Sequence, residues 1–154
     1  MNLSIRPAQR DDIATLVRFN VAMAQESEDK PLDAVTLESG IAALFDKPAE
    51  GRYLMACDDD GTALGALLVT YEWSDWRNGR FWWIQSVYVV PDARRRGVYR
   101  ALHEHVRAAA RSDPDVCGLR LYVERDNATA QRTYRTMGMI ETAYRLYEEE
   151  FERS

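Results

Sequence analysis

The spacing of apolar and polar positions divides the chain into segments of two kinds. Apolar residues three or four positions apart predict a helix opened by Asp11 or Asp12 and a second helix opened by Asp33 or Thr36. Runs rich in β-branched and aromatic residues predict strands. The predicted strands are residues 3–6, 52–57, 63–73, 80–90, 119–123 and 144–151. Two further helices are predicted at residues 95–112 and 127–137.

The order of these elements is β-α-α-β-β-β-α-β-α-β, without a linker or a repeat. The Asp-Gly turn at 60–61 joins two strands into a hairpin, and Asn-Gly at 78–79 marks the next loop. Strands that follow one another directly, before a strand-helix-strand crossover, predict an α/β chain with a mixed sheet. We expect a single domain over residues 1–154, a length that is sufficient for one hydrophobic core.

Composition restricts the partners. Hydrophobic residues make up 46% and charged residues 29% of the chain, as in ordinary globular proteins. A net charge of −5 gives no long-range attraction to nucleic acid or to anionic lipid, so any anion site must be local. No stretch is apolar over the length that spans a bilayer, and the start lacks a signal-peptide pattern, so we expect a cytoplasmic protein.

The few thiol and imidazole groups give no metal-binding pattern. Cys57 and Cys117 stand far apart in apolar surroundings, which predicts two buried free thiols. His103 and His105 lie two positions apart on a predicted helix and therefore point to different faces. We expect no metal ion in this protein.

The junction between the fourth strand and the third helix is the strongest candidate for an anion site. The strand ends at Pro91 and a helix follows, so main-chain N–H groups point outward at the positive end of a helix dipole. Gly97 would let an anion approach the main chain. Four arginines add positive charge, at positions 94, 95, 96 and 100. Alternatively the three consecutive arginines form a solvated first helical turn, although cations there oppose the dipole at up to about 1 kcal/mol each.

This junction resembles a known family motif. The missing G-K-S/T ending argues against a P-loop, and the single glycine argues against a dinucleotide turn. The run from Arg94 to Tyr99, after Val-Tyr-Val-Val-Pro, resembles the pyrophosphate motif Q/R-x-x-G-x-G/A of the GNAT N-acetyltransferases. Tyr99 stands where glycine or alanine is usual. The resemblance implies that the coenzyme's pyrophosphate is held by Arg94, Arg95, Arg96, Gly97, Val98, Tyr99 and Arg100.

A second segment resembles the other GNAT signature, N-x-x-A-x-x-x-Y-x-x-x-G-F/M, from Asn127 to Met139. Its residues can also have purely structural roles, because Asn127 is a good helix N-cap and Tyr134 can be a core aromatic. The resemblance implies that Asn127 contacts the pantetheine part of the coenzyme. It also implies that the Tyr134 hydroxyl acts as general acid toward the coenzyme sulfur.

The resemblance implies a fold and an activity. The fold would be the GNAT fold, a mixed, mostly antiparallel sheet of six or seven strands with about four helices. The activity would be transfer of an acetyl group from acetyl-CoA to a primary amine, directly in a ternary complex. Main-chain groups of Val87, Tyr88 and Val89 would face the acetyl carbonyl where the fourth strand splays from its parallel neighbour. Many relatives pair as dimers, so a homodimer is an expected state.

The acceptor and the general base are not given by the motifs. The candidate carboxylates are Glu26, Glu28, Glu72 and Glu124, each of which could equally be a solvated surface charge. Trp73 and Trp76, with Glu72 and Asp75, are candidates for a pocket that binds a small cationic amine, although such aromatics also fill cores. Two alternatives are an acetyl-CoA sensor without turnover and a peptide N-terminal acetyltransferase.

Overall fold

The computed structural model describes residues 2–153. Its strands are β1 (Ser4–Pro7), β2 (Gly51–Cys57), β3 (Ala63–Ser74), β4 (Gly79–Val89) and β5 (Val116–Arg120). Its helices are α1 (Ile13–Glu28), α2 (Ala34–Phe45), α3 (Val98–Ser112) and α4 (Ala128–Thr136). The chain forms two compact units, a first unit that ends at Tyr122 and a second unit that begins at Val123.

The sheet is mixed and mostly antiparallel, as predicted. Its strand order is β1-β2-β3-β4-β5, with three antiparallel pairs and a parallel β4–β5 pair. The prediction of six or seven strands is wrong for the described residues, which form five strands. Residues 144–151, predicted as the last strand, are in neither a helix nor a strand of the described chain. β5 lies at Val116–Arg120 and not at 119–123, because its pairing with Arg80–Trp83 sets the register.

Helices cover both faces of the sheet in the first unit. On one face, Leu102 and Val106 of α3 pack in a buried cluster with Trp82 and Ile84 of β4. On the other face, α1 and α2 pack against β2 in a second buried cluster. It contains Leu16, Phe19 and Ile41 of the helices and Tyr53, Met55 and Cys57 of β2. Burial of these apolar side chains stabilises the sheet between two helical layers. Cys57 is buried as predicted, but Cys117 is exposed, because it lies on the edge strand.

The β3–β4 hairpin carries the two irregularities that prepare the site. Its turn closes through Asn78 in the left-handed region (φ 48°), as the Asn-Gly pair indicates. Further along β4, Ala66 pairs with Tyr88 but Leu68 pairs with Gln85, so one residue of β3 opposes two of β4. Ser86 adopts φ 52° in this bulge, which bends β4.

The second unit contains α4 and the segment after it. The Asn127 side chain caps α4 by accepting a hydrogen bond from the Ala130 N–H at 3.1 Å. The helix ends at Thr136, and Gly138, directly after the C-cap residue Met137, has the left-handed φ of 92° that is expected at this position. Both ends of this helix therefore agree with the sequence prediction.

Candidate active site

Residues 91–100, here called the helix corner, join β4 to α3. A short 3₁₀ turn, Pro91–Ala93, is followed by Arg95 at φ 62° and Gly97 at φ 83°. Two left-handed residues cannot belong to an α-helix, so α3 begins at Val98 and not at residue 95 as predicted. The first turn of α3 presents N–H groups that have no intrahelical acceptor.

Gly97 meets both conditions for close approach of an anion. Its positive φ strains any residue with a Cβ, and a Cβ built there would meet no atom within 4 Å. The space outside this residue is therefore open. Val98 directly after it has its side chain buried against α3's core cluster, so it can offer a ligand only main-chain groups.

The arginines of the helix corner differ in their surroundings. Arg95, Arg96 and Arg100 are exposed. Arg94 is tied to the body of the first unit, because its Nη2 lies 2.7 Å from Glu26 Oε2 and its Nε donates to the Val89 carbonyl at 2.9 Å. The corner is therefore positive, with one guanidinium fixed against α1.

Tyr99, which departs from the motif, is directed along α3. Its hydroxyl lies 2.9 Å from Nδ1 of His103, one turn further on. Arg107 Nη2 lies 3.2 Å from His103 Nε2, and since arginine only donates, Nε2 accepts and Nδ1–H donates to Tyr99. Burial, together with the nearby Arg107 charge, lowers the pKa of His103 to about 4. The imidazole is thus neutral, and the Tyr99 ring packs against the core.

The far end of β4 has one side that β5 does not pair, here called the open side. The last parallel pair with β5 is Trp83 with Arg120, so the ladder on that side stops before the bulge. Val90 N–H donates to the Leu64 carbonyl of the β3 side. Because hydrogen bonds alternate between the sides of a strand, Tyr88 also faces β3, whereas Val87 and Val89 face the open side. Two of the three predicted main-chain positions thus face the opening.

Six side chains form a second cluster, here called the polar face, on one face of three strands. They are Thr70 and Glu72 of β3, Trp83 and Gln85 of β4, Arg120 of β5 and Tyr122 just after it. Glu72 Oε1 accepts from Trp83 Nε1 at 3.2 Å and from Arg120 Nη1 at 2.7 Å. Both bonds end on the same oxygen, and within the described chain Oε2 accepts none. One carboxylate oxygen is therefore available to a ligand.

The rest of the polar face bridges β4 and β5 where they diverge. Gln85 Nε2 donates to Thr70 Oγ1, and Tyr122 O–H donates to Gln85 Oε1 at 3.4 Å. The rings of Trp83 and Tyr122 lie 5.3 Å apart and are tilted by 55°. Aromatic faces beside a carboxylate suit a cationic group.

Within the first unit, the predicted substrate residues have different surroundings. Trp73 and Trp76 are 58% and 83% exposed, and Trp73 lies on the opposite sheet face from Glu72, since side chains alternate along a strand. Glu28 is exposed at the end of α1. Glu26 is bound to Arg94 and accepts from the Tyr88 hydroxyl at 3.3 Å.

The second unit holds the other predicted site residues. Glu124 accepts from the Asp126 N–H at 2.7 Å and so stabilises the turn before α4. The Asn127 oxygen caps the helix, and its amide nitrogen remains as a donor for a ligand. Burial raises the pKa of Tyr134, which keeps its hydroxyl protonated.

The sequence interpretation missed the polar face as a unit. Its members come from three strands, and neither family motif includes them. The Asn-Gly turn could have given the hairpin register, which pairs Thr70 with Trp83. No local signal gives the contact of these strands with Arg120, because that contact depends on the crossover through α3. The left-handed Ser86 also had no signal.

Comparison with known proteins identifies the family. The sequence model of the Acetyltransferase (GNAT) family matches residues 18–139, which include the helix corner, the polar face and α4. The chain belongs to this GNAT family. Comparison with curated protein sequences gives no match. Among the described residues, no helix is long and apolar enough to cross a membrane.

Solved structures agree with this GNAT membership. A possible acetyltransferase from Clostridium difficile 630 is 38% identical, with a TM-score of 0.91, and the alignment covers 99% of this chain and 100% of that chain. A predicted acetyltransferase from Clostridium acetobutylicum, solved with acetyl-CoA, is 16% identical with a TM-score of 0.80, over 96% of each chain. A ribosomal-protein-alanine N-acetyltransferase from Brucella melitensis biovar Abortus 2308 is 19% identical with a TM-score of 0.77, over 98% and 100%. The last two likenesses show the fold alone.

Proposed function

We propose that this protein moves an acetyl group from acetyl-CoA to a primary amine of a small molecule, by direct attack in a ternary complex. The observation that carries the proposal is the helix corner. There, a left-handed glycine with open space outside it precedes a fifteen-residue helix. An N–H cluster of that kind, surrounded by arginines, is suited to a diphosphate. We further propose that both units serve one N-acetyltransferase domain.

The residues fit acetyl-CoA. The N–H groups at the start of α3 would hold the pyrophosphate, with Arg95, Arg96 and Arg100 supplying charge, and Arg94 would be oriented for it by Glu26. When bound, acetyl-CoA supplies the acetyl group as an activated thioester. The open side of β4 offers the N–H groups of Val87 and Val89, which would stabilise negative charge on a carbonyl oxygen.

Tyr134 would serve as proton donor, and Asn127 would contact the pantetheine arm through its amide nitrogen. The support for Tyr134 is its half-buried phenol, because desolvation raises its pKa and so keeps a proton on the hydroxyl oxygen. A donor must keep its proton until the leaving sulfur collects charge.

We place the acceptor at the polar face. Glu72 Oε2 and the rings of Trp83 and Tyr122 suit an ammonium group, so the acceptor class would be a diamine or polyamine. The second cation of such a molecule would bind Glu72, and its reacting amine would extend toward the opening beside β4. Gln85, held between Thr70 and Tyr122, would orient that amine.

Calorimetric titration with acetyl-CoA, followed by thiol release with a panel of amines and N-terminal peptides, tests the proposal. We expect binding, and turnover with diamines above peptides. Tyr134→Phe should lower kcat by about 100-fold or more while the Kd for acetyl-CoA stays unchanged. Binding without turnover would favour an acetyl-CoA sensor, and faster turnover with peptides than with diamines would favour an N-terminal acetyltransferase. Absence of acetyl-CoA binding would exclude all three functions.

A further inference from the structure

Three side chains of the first unit, here called the Arg94 network, connect the end of α1 to the helix corner. They are Glu26 of α1, Tyr88 of β4 and Arg94 of the helix corner. Glu26 is 62 positions from Tyr88 and 68 positions from Arg94 along the chain. The tertiary structure therefore brings a carboxylate, a phenol and a guanidinium into contact beside the predicted pyrophosphate site.

The Glu26 carboxylate uses a different oxygen for each of its two partners. Oε2 accepts from Arg94 Nη2 at 2.7 Å, and Oε1 accepts from the Tyr88 hydroxyl at 3.3 Å. Burial of the phenol, together with the negative charge of Glu26, raises the pKa of Tyr88, so the hydroxyl keeps its proton and remains a donor. Because both oxygens are bound, the carboxylate has a fixed orientation toward Arg94.

Tyr88 is the buried member of the network. It is 8% exposed, and its ring lies 5.2 Å from the ring of Phe19 on α1. Arg94 Cζ lies 5.4 Å from the centroid of the Tyr88 ring, which is a cation–π distance. Since protein interiors are close-packed, this ring has little freedom to move. The Arg94 guanidinium is thus held against a rigid surface.

Arg94 keeps hydrogen-bond donors for a ligand in spite of these contacts. Its Nε donates to the Val89 carbonyl and its Nη2 donates to Glu26. A guanidinium has five N–H groups, and within the described chain the two at Nη1 make no hydrogen bond. Arg94 can therefore bind an anion through Nη1 without leaving its position.

The other arginines of the helix corner start from a different state. Arg95, Arg96 and Arg100 are exposed. A long exposed side chain loses rotamer freedom when it binds an anion, and this loss weakens binding. Arg94 has already lost most of that freedom on folding. Its contribution to anion binding should therefore depend on the residues that hold it.

We propose that Glu26 and the Tyr88 side chain are positioning residues for acetyl-CoA, which act by holding the Arg94 guanidinium where the pyrophosphate binds. The inference rests on the proposed function, and it gives these two side chains a role that neither family motif assigns. Glu26 also places a negative charge near the ligand. Its side chain is 43% exposed, so water screens this repulsion, and we expect orientation of Arg94 to outweigh it.

Kinetics with two acetyl donors tests the inference on the full chain. S-acetylpantetheine has the same thioester as acetyl-CoA but lacks the pyrophosphate. Glu26→Gln should raise the KM for acetyl-CoA about fourfold, with kcat unchanged, and should leave the KM for S-acetylpantetheine unchanged. Tyr88→Phe, which removes only the hydroxyl, should cause a smaller rise for acetyl-CoA alone. Glu28→Gln, at an exposed carboxylate on the same helix, is the matched control and should change neither KM.

A double-mutant cycle shows whether the effect passes through Arg94. Arg94→Gln should raise the KM for acetyl-CoA about tenfold, and Glu26→Gln in that background should cause no further rise. Additive effects, or equal rises in KM for both acetyl donors, would overturn the positioning role.

The same measurements separate this inference from the proposed function. If the wild-type chain turns over acetyl-CoA and Glu26→Gln has the wild-type KM, the positioning role is refuted and the proposed function stands. If the wild-type chain does not bind acetyl-CoA in calorimetry, both are refuted. Circular-dichroism spectra that match the wild type show that the variants are folded.

Discussion

The helix corner and the polar face differ in what builds them. The helix corner uses ten consecutive residues, and its anion-binding groups are mostly main-chain N–H groups at the start of α3. The polar face uses six side chains from β3, β4, β5 and the residue two positions after β5. A site made of backbone depends on local conformation, whereas a site made of side chains depends on strand register. The two should respond to different changes.

The largest predicted effect concerns His103 of α3, the helix that begins within the helix corner. The folded His103 has a pKa of about 4, below the ordinary 6.5 of the unfolded chain. The unfolded state therefore takes up the proton first, and stability that is complete above pH 6.5 falls as the pH is lowered toward 4. The loss should approach about 3 kcal/mol in the free energy of unfolding. Urea unfolding at several pH values measures it.

His103→Gln is the control for this titration. The variant has no group that titrates in this window at the same position, so its stability should change less between pH 6.5 and 4. The carboxylates, including Asp12 with its lowered pKa, are the same in both proteins. Parallel curves for the two proteins would show that His103 is not the cause.

The next prediction tests whether Gly97 has a role in coenzyme binding that another glycine with a positive φ does not have. Gly97→Ala should weaken acetyl-CoA binding about tenfold, since the added Cβ enters the open space and strains φ. Gly61→Ala is a matched control, because Gly61 also has a positive φ and open surroundings but lies in the β2–β3 turn. Both variants should lose about 1 kcal/mol of stability. Equal Kd values for acetyl-CoA in the two variants, measured by titration calorimetry, would show that the helix corner does not bind the coenzyme.

A smaller effect tests the polar face. Glu72→Gln should raise the KM for a diamine about fivefold and leave the Kd for acetyl-CoA unchanged, because it removes the charge that faces the ammonium group. Steady-state kinetics with a diamine and with an uncharged monoamine analogue of similar length gives the comparison. Glu28→Gln, at an exposed carboxylate on α1, should change neither constant. The same rise in KM for both acceptors would place Glu72 outside the acceptor site.

The smallest effect concerns the residue that departs from the motif. Tyr99→Phe should change the Kd for acetyl-CoA less than twofold, because the Tyr99 side chain is directed along α3 to His103. Loss of that hydrogen bond should cost about 1 kcal/mol in the free energy of unfolding. Calorimetry and urea unfolding on the same variant give both values. A large change in Kd with unchanged stability would mean that the hydroxyl reaches the coenzyme.

Most of the first unit followed from local sequence. Periodicity predicted four helices and the first five strands, and Asn-Gly marked the turn between β3 and β4. The predicted start of the third helix was wrong because Arg95 adopts φ 62°, a conformation that its residue type does not indicate. The sixth strand was wrong, since residues 144–151 form no strand in the described chain, and whether a segment becomes a strand depends on pairing between distant parts of the chain.

The candidate site divides in the same way. The main-chain conformation of the helix corner follows from two residue types. Pro91 restricts φ, and Gly97 allows the positive φ that other residues rarely adopt. The ion pair between Arg94 and Glu26 joins residues 68 positions apart, so no local pattern contains it. The same holds for Arg120 and Glu72, which are 48 positions apart.

The sequence by itself determined the strand-helix junction, the caps of α4 and the order of the first nine elements, because these depend on backbone preferences and on the period of apolar residues. Only the tertiary structure decided the polar face, the separation of Trp73 from Glu72 and the open side of β4. These depend on register and on a bulge at Ser86. A shift of one residue in either strand would place other side chains on that face.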